Sequence, residues 1–180
     1  MKNLSNLAWI DLEMTGLDIN KDVILEIASL VTDKDLNILE IGPSFVIKQT
    51  EDKFLNLNEW VVKTHTASGL LDEARKSVVT EQEAEKLSIE FFDKYCFIGV
   101  SPLCGNSVWQ DRRFLLKYMP SLDNFFNYRI IDVTSIKEVI KRWYPERQDI
   151  DYVKPEGHRA LIDIQESVAE LNHYRRNFFV

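Results

Sequence analysis

Residues 7–14 are apolar almost throughout, interrupted only by Asp11 and Glu13, and the run predicts a strand. Alternation puts Leu7, Trp9, Asp11 and Glu13 on one face and Ala8, Ile10, Leu12 and Met14 on the other. Thr15-Gly16 breaks it. Residues 23–31 predict a second strand, and 36–47 a third, returning antiparallel through the turn-like Thr32-Asp33-Lys34-Asp35. Within it, Gly42-Pro43 marks a bulge or a sheet edge. Residues 49–58 are polar and read as a loop, and 66–75 as a short helix. Over 80–95 the spacing turns helical. Thr80-x-x-Glu83 matches a capping box, and Ala84, Leu87, Phe91 and Tyr95 follow on one stripe. Residues 102–105 read as a short buried strand, and Asn106 or Ser107 as the cap of a helix that Pro120 stops. Ile130-Ile131 reads as a brief strand and 134–143 as a helix. After the loop Pro155-Glu156-Gly157, Leu161, Ile164, Val168 and Leu171 line a long helix ending near Tyr174. Three early strands followed by alternating helices and short strands imply an α/β fold, a mixed sheet with helices packed on it.

At 180 residues the chain fits one domain spanning 1–180. No stretch approaches the roughly 18 apolar residues of a membrane span, and no signal-peptide architecture precedes the first strand. A cytoplasmic location is expected. Cys96 and Cys104 lack metal-type spacing; reduced thiols are the default there, with a disulfide between them left open. Net charge is −7, and the longest basic clusters are the pairs Arg112-Arg113 and Arg175-Arg176. Proteins that grip long nucleic acids carry a basic stripe to neutralise phosphates. Charge therefore argues against such a partner, unless the site supplies its own cations or the substrate is too short to need a basic track.

Candidate chemistry lies in acids with apolar neighbours. Asp11 and Glu13 project from one strand face amid Leu7, Trp9, Ile10 and Leu12. Either the strand end is wet, or a cation relieves two carboxylates that would otherwise repel each other out of water. Asp111 heads a helical stripe of Phe114, Leu115 and Tyr118, which points it inward; an acid favoured by the helix N-terminus, or paired with Arg112 or Arg113, has the same spacing. Asp163 flanks the stripe of the last helix, facing either a cleft or solvent. His158, five residues earlier, falls in the preceding loop or first turn. A histidine that titrates near neutrality suits a general base, and an ordinary surface loop also accommodates one.

Taken together, these segments resemble one family. Trp9-Ile10-Asp11-Leu12-Glu13-Met14-Thr15-Gly16-Leu17, Gly105-Asn106-Ser107-Val108-Trp109-Gln110-Asp111-Arg112-Arg113-Phe114-Leu115 and His158-Arg159-Ala160-Leu161-Ile162-Asp163-Ile164 are similar to the three exonuclease motifs of the DEDD superfamily. A histidine five residues before the last aspartate marks the histidine subgroup. Thr64-His65-Thr66-Ala67-Ser68-Gly69-Leu70 and Glu166-Ser167-Val168-Ala169-Glu170-Leu171 resemble the oligoribonuclease branch. Two positions depart from the pattern. Trp109 stands where a small residue, often Gly, is expected, and Ile162 where many relatives have a second acid.

The resemblance implies a ribonuclease H-like (exonuclease) fold, with a central mixed β-sheet flanked by α-helices. It implies a 3′→5′ exoribonuclease that cuts very short RNA, especially dinucleotides, to 5′-mononucleotides. Asp11, Glu13, Asp111 and Asp163 would bind two divalent ions, Mg²⁺ or Mn²⁺, with His158 as general base. It also implies Leu17 as a wedge between bases, Trp60 as a stacking platform with His65 nearby, and Ser107, Arg129 and the hydroxyl of Thr134 or Ser135 as a cap on the 5′-phosphate. Tyr128 would reach across a homodimer. A basic track for long duplexes is not expected. Rival readings are a 3′→5′ DNA exonuclease of proofreading type on the same fold, and a non-catalytic nucleotide-binding protein.

Overall fold

The computed structural model describes residues 1–152 and 159–179. His158 and the loop Pro155-Glu156-Gly157 lie outside the described residues.

Among the described residues the sheet comprises β1 (Leu7–Met14), β2 (Ile24–Thr32), β3 (Ile38–Val46), β4 (Leu103–Gly105) and β5 (Ile130–Asp132), in the order β3-β2-β1-β4-β5. Antiparallel pairing joins β1 to β2 and β2 to β3, while β4 lies parallel to both β1 and β5. The expected mixed sheet is present, and β1 is central because both of its faces are apolar. One face of the sheet is covered by α3 (Glu81–Phe92), α4 (Val108–Tyr118) and α5 (Pro120–Phe125), which follow α1 (Glu59–Ala67) and α2 (Leu70–Lys76) along the chain. Phe92, Phe114, Leu115 and Phe125 there pack with Ala8, Ile10 and Leu12. The opposite face is covered by α6 (Val133–Trp143) and α7 (Ala160–Phe178), whose Val133, Ile140, Ile164 and Val168 cluster with Trp9. Trp9 is fully buried and donates its indole N–H to Thr32 Oγ1 at 3.0 Å.

The hairpin before β3 forms as expected, with Asp33 Oδ1 accepting the backbone N–H of Asp35 and Asn37. Gly42-Pro43 is both a bulge and an edge. The β2–β3 register slips between Ala28 and Leu30, and β3 ends the sheet. A Cβ on Gly42 would come within 2.5 Å of the Phe91 ring. Thr80 caps α3 by accepting Glu83 N–H.

Three expectations are corrected, and that for Pro120 holds with an addition. Residues 49–58 are not all loop, because Glu51–Phe54 forms a 3-10 turn. The helix expected over 66–75 is two helices. Asn58 accepts Val61 N–H and starts α1 early, and Gly69, at φ 77°, breaks the run before α2. Ser107 sits at the start of α4 but makes no side-chain capping bond; it is left-handed, at φ 50°. Pro120 ends α4 and also opens α5, where a missing N–H costs nothing.

Because Trp9 joins the sheet to the α7 layer, Trp9→Ala should lower unfolding free energy by about 3–5 kcal/mol. Thr32→Val, which strands the indole N–H, should cost about 1–3 kcal/mol. Urea denaturation reads both; an unchanged midpoint for Thr32→Val would show that the bond contributes nothing.

Candidate active site

β1 carries Asp11 and Glu13 onward from Trp9 on the face that α7 covers, and Asp163 lies in the first turn of α7. One oxygen from each of Asp11, Glu13 and Asp163 lies within 4.8 Å of the other two, and all three residues are half-buried. Asp111 approaches from the first turn of α4 and is buried. Its Oδ1 accepts the N–H of Leu12 at 2.9 Å, so it is tied to the backbone between Asp11 and Glu13. The first three acids therefore share one space, and the fourth is bonded to the strand that carries two of them.

This crowding shows in the proton affinities. Burial, then the charge and hydrogen bond of Asp163, then the charges of Glu26 and Asp111 push Glu13 up to about 8. Burial also pushes Asp111 up to about 8, with Asp132 adding to it and the Leu12 amide opposing it. An oxygen-only donor set under mutual repulsion fits a hard divalent cation, which would replace protons as the compensating charge.

A second group fixes the start of α7. Glu26 is buried on β2, paired in register with Glu13. Its carboxylate accepts from Arg159 Nη2 at 2.9 Å, Arg159 Nε at 3.1 Å and the Ala160 N–H at 3.1 Å. Arg159 also grips Glu73 of α2 at 2.8 Å. Charge-assisted forks of this kind are among the stronger polar contacts. Sequence reading missed both partners. The signal was an acid within the apolar run 23–31, the same kind of anomaly that singled out Asp11 and Glu13.

The expected substrate residues fall into two groups. Leu17 and Trp60 are exposed and border a cleft of about 450 Å³ with Met14, Gly16, Asn58 and Val61. His65 is buried behind them, its Nε2 3.1 Å from the Met14 carbonyl oxygen and 3.8 Å from Glu13 Oε2. In the second group, Ser107 and Thr134 meet: Ser107 N–H donates to Thr134 Oγ1 and to Asp132 Oδ1, each at 3.0 Å. Tyr128 and Arg129 are exposed, the guanidinium 4.6 Å from the ring centre. Ser135 is also exposed, but borders an apolar groove with Ile136, Val139, Trp143 and Phe179. Trp109 lies half exposed beneath the Arg113 guanidinium, and Ile162 is exposed.

Known proteins resemble this chain over nearly its whole length. The RNase_T family model, described as Exonuclease, matches residues 8–171. Oligoribonuclease of Klebsiella pneumoniae subsp. pneumoniae is 51% identical over 176 residues, covering 98% of this chain and 97% of that protein. Oligoribonuclease of Escherichia coli strain K12 is 50% identical over 176 residues with the same coverage. That of Pseudoalteromonas atlantica is 52% identical over 174 residues, covering 97% of this chain and 96% of that one. Among solved structures, exonuclease I of Methylocaldum szegediense superposes with a TM-score of 0.73 at 16% identity, over 96% of this chain and 41% of that one. E. coli exonuclease I in complex with a dT13 oligonucleotide gives 0.72 at 16%, over 95% and 41%. This chain thus spans about two-fifths of the exonuclease I chains, and the likeness is one of fold.

The raised carboxyls have a consequence for stability. Ordinary values for Glu13 and Asp111 are 4.5 and 3.8, and both are raised in the folded chain. Between those values and about 8 the native state holds protons that the unfolded chain has released, so stability falls as pH rises through that window. Thermal midpoints of chelator-treated wild type and Glu13→Gln should diverge from about pH 5 to about pH 8, the variant gaining on wild type. A difference that stays constant with pH would contradict a Glu13 carboxyl raised by burial and by Asp163.

Proposed function

Because the chain belongs to the exonuclease family, within its oligoribonuclease group, we propose that it is a 3′→5′ exoribonuclease with one catalytic domain over 1–180 that degrades very short RNA, dinucleotides above all, to 5′-mononucleotides. The observation that supports this most directly is the convergence of Asp11, Glu13 and Asp163 beside the buried Asp111. These four would hold two divalent ions, Mg²⁺ or Mn²⁺. Bound there, the ions would acidify a water and stabilise the departing 3′-oxygen. His158 takes the proton of the attacking water, a task suited to an imidazole near neutral pH. Arg159, next to it in sequence, holds the start of α7 against the sheet through Glu26 and Glu73.

Recognition in this reading relies on bases and ends rather than a run of phosphates. Leu17 separates the two bases, Trp60 stacks on one, and His65 backs the cleft. Ser107, Arg129 and the hydroxyl of Thr134 or Ser135 take the 5′-phosphate. Tyr128 completes the cap from a second copy in a homodimer. A dinucleotide offers few phosphates, so a net charge of −7 is no obstacle to binding it. No helix among the described residues is long and apolar enough to cross a membrane. The enzyme would act in the cytoplasm.

Single-turnover hydrolysis across an RNA length series tests this. Two-residue RNA should turn over fastest, with a shallow salt dependence. Chelation, or Asp163→Ala, should abolish turnover with the fold intact by circular dichroism. Trp60→Ala should weaken dinucleotide binding by about 1–3 kcal/mol. Near-normal turnover of Asp163→Ala would remove that residue from the mechanism. Fast digestion of long single-stranded DNA with a steep salt dependence would favour the DNA exonuclease instead.

A further inference from the structure

Ser107 and Thr134 present two hydroxyls to the same space, 3.1 Å apart, and either could donate to the other. A partly buried chain of groups behind them decides which one does. Glu170 of α7 is buried, and its Oε1 accepts the Tyr174 hydroxyl at 2.7 Å and lies 3.4 Å from the Lys137 ammonium. Its Oε2 faces the Asn106 side-chain amide at 3.0 Å. A carboxylate only accepts, so the Asn106 group turned toward it is the NH₂. That NH₂ also donates to Ser167 Oγ at 2.9 Å, whose own hydrogen goes to the Asp163 carbonyl. Asn106 Oδ1 is therefore turned toward Thr134, and it accepts the Thr134 hydroxyl at 3.1 Å. A threonine hydroxyl has one hydrogen. With that hydrogen directed at Asn106, Thr134 Oγ1 can act toward Ser107 only as an acceptor, which it does for the Ser107 N–H. Ser107 is thus the member of the pair with a hydroxyl hydrogen to turn outward.

We propose that Glu170 and Asn106 are positioning residues for the substrate's 5′ end: through Asn106 they set the polarity of the Ser107–Thr134 pair, so that Ser107 donates to a terminal 5′-phosphate while Thr134 serves to hold Ser107. This rests on the 5′-phosphate cap of the proposed function. It separates the roles of two residues which that reading treats alike. A phosphate monoester offers only acceptors at neutral pH, so a hydroxyl whose hydrogen is directed elsewhere adds nothing to its recognition. The backbone agrees with such a division. Ser107 is left-handed at φ 50°, a conformation costing about 1 kcal/mol or more for a residue other than glycine. Asp132 Oδ1 and Thr134 Oγ1, both accepting its N–H, hold it there.

The test compares a 5′-phosphorylated diribonucleotide with the same dinucleotide lacking that phosphate, reading the ratio of their KM values. Losses common to both substrates cancel in this ratio. Wild type should favour the phosphorylated substrate by about tenfold or more, the worth of one or two charge-assisted hydrogen bonds. Ser107→Ala should lower the ratio severalfold, with Arg129 keeping part of the preference, Glu170→Gln and Asn106→Ala should each lower it by no more than that, and Thr134→Ser should keep it. Glu170→Gln added to Ser107→Ala should lower it no further, because the two act through one hydrogen bond. If Glu170→Gln does not fold, Asn106→Ala and its double variant with Ser107→Ala give the same reading. A wild-type ratio near one would overturn the cap itself. A large wild-type ratio left intact by Glu170→Gln or Asn106→Ala, or lowered additively in the double variants, would overturn the positioning role and leave the cap standing.

Discussion

Repulsion among Asp11, Glu13 and Asp163 is the constraint to which the surrounding structure answers. Three carboxylates whose oxygens approach within 4.8 Å would separate if their backbones were free to move. Each backbone is instead fixed by contacts that do not depend on the charges at the centre. β1 is locked between β2 and β4 with both faces buried. Asp111 holds it again through the Leu12 amide. Glu26 takes both the first amide of α7 and the Arg159 fork, so Asp163 enters from a helix whose start is bonded to the strand beside Glu13. The acids cannot relax apart, and proton uptake or a cation is what relieves them; the Glu13 carboxyl is raised first by its burial and then by the charge of Asp163.

The same logic accounts for the charge balance. Two arginines are turned inward to neutralise buried acids, Arg112 to Asp123 and Arg159 to Glu26, while Arg175 pairs with Asp35 at the surface. Arginines used this way do not form a track along a nucleic-acid backbone. Their guanidinium forks serve rigidity, and the surface presents Leu17 and Trp60 beside a cleft instead. Under the proposed reading, these apolar and aromatic groups would recognise bases one at a time, which suits a ligand with two of them.

Much of this was legible in the chain because burial leaves a pattern. Leu7 to Met14 reads as a central strand since both alternating sets are apolar, and an acid in such a run stands out. Asp111 before Phe114 and Leu115 reads as inward-facing by helical spacing, and it is buried. What was not legible depends on contacts between distant segments. Nothing near Arg159 indicates that its partners lie 133 and 86 residues away. The break at Gly69 turns on one left-handed residue, and α1 is short, with Val61 and His65 its only buried residues. Asn106 or Ser107 is the expected cap of α4, because asparagine and serine both favour that role. Instead Ser107 is left-handed, at φ 50°, with its Oγ against Thr134 Oγ1, and no side-chain capping bond forms.

Helix α7 joins the two ends of the site. Asp163 and Glu170 are seven residues apart, close to two turns and about 10 Å along the axis, so both fall on nearly the same side of one rigid rod. Near its start the helix presents Asp163 to Asp11 and Glu13; two turns on it presents Glu170 to Asn106, behind Ser107. Ser167 lies between them, donating to the Asp163 carbonyl and accepting from Asn106, so the intervening turn is tied to both. Under the proposed reading, the reacting 3′ side and the capped 5′ side of a substrate are thus measured from the same element. A helix packed through Ile164, Val168, Leu171 and Tyr174 against the sheet cannot lengthen to admit another nucleotide. Substrate length would then follow from the stiffness of this helix, with no separate gating loop required.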